Sequence, residues 1–72
     1  MAKTNLQELA FVELNLTNLQ VVALNEIADN IEKGEDDYAS YEWTLSEAED
    51  KYLRAWLENE GVELPPKEEA AR

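Results

Sequence analysis

The sequence predicts a small all-α domain of three helices, over residues 5–13, 18–33 and 47–60, with an acidic linker before the last of them. Three observations predict it. Apolar residues recur at helical spacing through 14–31 and again through 48–57. Two short runs, at Thr17 and Ser46, carry the grammar of a capped helix start. The only two glycines, Gly34 and Gly61, stand just past the two apolar stretches, where a helix is expected to stop.

The first helix is the least settled. Thr4-Asn5-Leu6-Gln7 has the same four residues as Thr17-Asn18-Leu19-Gln20, which suggests a capped start. Leu6, Leu9 and Ala10 share one side of a helix beginning there. Yet Ala10, Val12, Leu14 and Leu16 alternate with Phe11, Glu13, Asn15 and Thr17, a period of two that belongs to a strand. The favoured reading is a short helix turning extended near Asn15. Its alternative is an α+β fold with two short strands near 11–16 and 41–45, where Tyr41, Trp43 and Leu45 also alternate. Two bare strands are weak alone and would need both longer helices packed on them.

The second helix organises the chain. Thr17 is its expected N-cap and Gln20 closes a capping box, giving partners to backbone N–H groups that have none within the helix. At about 100° per residue, Leu19, Ala23, Leu24, Ile27 and Ile31 fall on one broad face, continuing from Leu16. Asn18, Asn25, Asp29 and Glu32 fall opposite, and Val22 points among them. Lys33 suits the negative end of the helix dipole.

The third helix repeats this grammar. Ser46 and Glu49 match Thr17 and Gln20; Leu53, Trp56 and Leu57 match Leu24, Ile27 and Ala28. The correspondence is loose enough for two amphipathic helices to share it without a common origin. Ala48, Tyr52, Leu53, Ala55, Trp56 and Leu57 form its expected buried side. Glu47 with Lys51, and Asp50 with Arg54, stand four apart with the acid first, which suits an exposed face. Val62 and Leu64 are expected to fold back on the bundle. Pro65-Pro66 ends regular structure, so residues 1–64 form the domain and 65–72 a charged tail.

Composition bounds the function. At 72 residues a single small core is expected, with no cysteine to staple it. Seventeen acids against six bases give a net charge of −11. That charge repels nucleic acid and anionic membranes and steers association with a basic protein surface. Without histidine or cysteine, zinc and later transition metals lack ligands. An EF-hand beginning at Asp29 fails, because Ile31 and Lys33 occupy ligand positions and Ser40 stands where the bidentate Glu belongs. Ser46 and Thr17 have no histidine base and read as caps. Two glycines cannot form a phosphate loop, and no cofactor is implied. No apolar run reaches membrane-span length, and no signal segment is visible. The Asn15-Leu16-Thr17 sequon is therefore expected to be idle and the compartment cytoplasmic.

What is left is a surface. Glu35, Asp36, Asp37 and Glu42 are interleaved with Tyr38, Tyr41 and Trp43, and Lys33 is the one base between Glu32 and Asp50. Tyr and Trp carry much of the binding energy at protein interfaces. These seven linker residues are the candidate site of a non-enzymatic module or inhibitor that docks on a basic partner protein. A sharper form has its carboxylates standing in for phosphates on a nucleic-acid-binding protein, as in phage-type mimics of DNA. The competing reading is a homodimeric helical assembly module with Phe11, Val22 and part of Trp56 at the contact.

Overall fold

The computed structural model describes residues 3–41 and 43–64. Glu42 and the tail 65–72 lie outside the described residues. Three helical elements make the fold, and no strand occurs among the described residues. The α+β alternative is thereby corrected: residues 38–41 wind into a 3-10 turn and 43–44 into a further turn, so nothing extended is available to pair with 11–16.

Helix α1 begins as Leu6–Glu8 and widens into a π-helical turn over Leu9–Glu13. Its N-cap is Asn5 rather than Thr4, with the Glu8 amide donating to Asn5 Oδ1 at 3.1 Å. Thr4 instead exchanges two hydrogen bonds with the Asn59 side chain, at 3.0 and 2.9 Å. In the wide turn the Leu14 amide donates to the Leu9 carbonyl at 2.8 Å, one residue further than an α-helix reaches. Asn15 then adopts φ 56°, a left-handed conformation that Asn tolerates better than most residues. The Leu16 amide closes the reversal on the Ala10 carbonyl at 2.7 Å. This explains the mixed periodicity. Ala10 and Leu16 are buried and Leu14 half-buried, while Phe11 and Val12 point out.

Helices α2 (Asn18–Glu32) and α3 (Glu47–Asn59) start as expected, each with a complete capping box. Both stop as expected too. Gly34 and Gly61 take φ 83° and 81°. Around Gly34, its own amide reaches the Ile31 carbonyl and the Glu35 amide reaches Asn30. Around Gly61, the corresponding bonds run from Gly61 to Glu58 and from Val62 to Leu57. Each pair is a Schellman motif, which satisfies carbonyls that the helix leaves open.

The two long helices pack side by side and parallel. Gln20 meets Glu49 near both N-termini, Asn25 meets Tyr52 midway, and Glu32 faces Glu60 near both C-termini. Helix α1 runs the other way, since Thr4 at its start lies against Asn59 at the end of α3. One half of the core gathers Ala10, Leu16, Leu24 and Tyr52; the other gathers Ala28, Tyr38, Leu53 and Leu57, with Val62 and Leu64 folded over it. Ile27 and Trp56 pack against both halves.

The buried stripe of α2 differs from the one its pattern predicts. Leu24 and Ala28 are buried and Val21, Ile27 and Ile31 half-buried, but Leu19 and Ala23 are exposed. The inward face is thus turned by roughly 70° from the predicted one, whose centre falls near Ile27 and whose edge holds Leu19 and Ala23. Leu16 precedes the helix and cannot anchor its wheel. Ala28, with no exposed surface, lets α3 approach closely and draws that side inward.

Candidate protein-binding surface

A parallel pair of helices requires the chain to travel back along the bundle between them, and the candidate site lies on that return. Tyr38 fixes it. Its ring is 3% exposed, its hydroxyl donates to the carboxylate of Asp50, and the Arg54 guanidinium lies 4.9 Å from the ring centre. Arg54 Nε also reaches Asp50 Oδ2 at 3.3 Å. Asp50 itself is only 7% exposed. The expected surface pair of Asp50 and Arg54 is therefore an internal polar cluster that ties the linker to α3. A buried carboxylate must be paired and hydrogen-bonded, and here both conditions are met.

The next stretch closes on itself. Tyr41 is half-buried and its hydroxyl donates to Asp36 Oδ2 at 3.0 Å. That bond holds the phenol above its usual range, because losing its proton would set an anion against a carboxylate. The Ser40 amide donates to the Asp37 carbonyl, while the amides of Thr44 and Leu45 and the Thr44 hydroxyl all donate to the Tyr41 carbonyl. Trp43 sits at the turn these bonds create and is 79% exposed.

The seven predicted site residues therefore divide. Glu35, Asp37 and Trp43 are exposed, and Asp36 and Tyr41 are half-buried and bonded to each other. Tyr38 belongs to the core, and Glu42 lies outside the described residues. Sequence reasoning could not separate Tyr38 from Trp43, since both are aromatic residues in one acidic run. The nearest signal was Asp50, an acid on the apolar side of α3 beside Leu53 and Leu57 that needed a donor.

The acids continue at one pole of the bundle. The C-terminal turns of α2 and α3 contain no base, and both carry the negative end of a helix dipole. Lys33 follows α2 but is paired with Asp29 at 3.0 Å. Glu32 is held above the ordinary carboxyl range, first by partial desolvation and then by Glu60. At the other pole Glu49 is held below it, by the Ser46 amide and then the Gln20 side chain. Among the described residues no group of three or more acids is placed to hold a metal ion, and no helix is long and apolar enough to cross a membrane.

No protein family, curated protein or solved structure matches this chain.

Proposed function

We propose that this chain is a small, acidic, non-enzymatic binding module that docks on a basic surface of a partner protein in the cytoplasm. The observation that carries the reading is Trp43, a large apolar ring left 79% exposed on a linker whose other aromatic residues are wholly or partly buried. Exposed Glu35 and Asp37 lie on the same linker, which supplies both an aromatic anchor and the charge to select a basic partner. The net charge of −11 supplies long-range steering. The sharper form, in which the carboxylates occupy phosphate positions on a nucleic-acid-binding protein, draws on the same charge and makes the module an inhibitor.

The test is affinity capture from a lysate of the source organism at low and high salt, with the bound protein identified by mass spectrometry. Capture is expected to fall with salt and to be lost in Trp43→Ala and in Glu35→Lys with Asp37→Lys. Retention by both variants at every salt concentration would rule the linker out. The competing assembly reading draws on exposed Phe11 and Val22, although Trp56 is packed into the core. Sedimentation at high concentration separates them, since a monomer excludes the dimer.

A further inference from the structure

Among the described residues outside the linker, the large apolar side chains left in water are Phe11, Val12, Leu19 and Val22. They lie on the last turn of α1 and the first turns of α2, so they share one end of the bundle. Leu19 is 82% exposed and Val22 63%. With Ala23 they stand at i, i+3 and i+4, the spacing with which one helix receives another. Glu26 continues the same stripe one turn on and is exposed. The whole of α2, Asn18–Glu32, contains no lysine or arginine. A second copy of this chain would bring a net charge of −11 against −11, with no lysine or arginine in either α2 to offset Glu26. A basic amphipathic helix would instead meet Leu19 and Val22 with its apolar stripe and Glu26 with its lysines or arginines. Building on the acidic-docking reading, we infer that the outer face of α2 is a second seat for the partner, and that what it receives is a basic amphipathic helix of that protein.

The probe is a synthetic Leu/Lys peptide of about 18 residues, long enough for five helical turns. Its control is a scrambled isomer with the same charge but no apolar face. Titration calorimetry on the full chain is expected to give roughly tenfold tighter binding of the amphipathic peptide. Leu19→Gln with Val22→Gln is expected to remove that advantage without changing the circular dichroism melt, because both side chains are exposed. Amide NMR shifts on the unaltered chain, expected to centre on Leu19, Val22 and Glu26, provide a readout that needs no variant. Equal binding of the two peptides would overturn the inference. So would an advantage that survives Leu19→Gln with Val22→Gln, or shifts centred elsewhere. A free chain that sediments as a dimer and becomes monomeric in that variant would assign the face to a second copy and also overturn it. Scrambled-peptide binding that disappears in Trp43→Ala, with no preference between peptides, would remove the helix seat and leave the linker reading standing. If neither peptide binds at low salt, the seat falls, whereas the linker reading is judged by the capture experiment.

Discussion

Tyr38 and Trp43 stand five positions apart in one acidic run and have opposite fates. Tyr38 is pulled inward because its hydroxyl is the donor that buried Asp50 requires, and its ring shields the Arg54 guanidinium. Tyr38→Phe keeps the ring and removes the donor. It is expected to cost about 1.5–3 kcal/mol, the range for a hydrogen bond to a charged group, read from the midpoint of urea unfolding. Trp43→Ala removes an exposed ring and is expected to leave that midpoint within about 0.5 kcal/mol of the parent while abolishing partner capture. A large loss of stability in Trp43→Ala would mean that the ring is structural. Nothing in the local pattern separates these two aromatics. Asn15 was more legible, as an Asn just where the two periodicities collide, and its left-handed conformation explains the residue type.

The helices themselves were readable because their signals are local. A capping box needs four consecutive residues, and a Schellman stop needs a glycine within one turn of the helix end. Thr17, Gln20, Ser46, Glu49, Gly34 and Gly61 all take these roles. Their meeting was not readable: the Gln20 side-chain Nε2 donates to Glu49 Oε2 at 3.0 Å, so the two capping boxes are joined across the helix pair. Gln20→Ala and Glu49→Ala are therefore expected to be non-additive, with a coupling of about 0.5–1.5 kcal/mol in a double-mutant cycle. Simple additivity would show that each box acts alone. Gly34→Ala and Gly61→Ala meet no atom within 4 Å, so only the backbone conformation opposes them. Each is expected to cost about 1–2 kcal/mol, measured by thermal melting.

Over the whole molecule, parallel packing of α2 and α3 adds two helix dipoles instead of opposing them. It also gathers acids at the negative pole, where dipoles disfavour them. The carboxyl of Glu32 is raised, so the folded state takes up its proton before the unfolded state does. Stability from this group climbs as pH falls from neutral through its folded value toward the ordinary value of 4.5. Glu49 is lowered, so its contribution is complete above 4.5 and is lost as pH falls through its folded value. The melting temperature is therefore expected to peak in mild acid and fall on further acidification. Glu32→Gln should flatten the neutral side of that profile, and Glu49→Gln the acid side. A melting temperature that declines steadily from pH 7 downward would contradict the Glu32 assignment.

The sequence by itself determined the bounds of the two long helices to within a residue, their caps and stops, and the acid excess that directs the functional reading. These follow from interactions between residues a few positions apart and from net charge, neither of which needs a third dimension. Only the tertiary structure decided that α2 and α3 run parallel, that α2 is turned so that Leu19 faces water and Ala28 faces α3, and that Tyr38 rather than Trp43 enters the core. Each of those outcomes depends on which side chains from distant stretches meet: Ala28 with the Leu53 and Leu57 side of α3, and Tyr38 with Asp50 and Arg54. A helical wheel records which faces are apolar. Where two apolar faces compete on one helix, the side that packs is set by the partner's shape and by the polar groups it must satisfy.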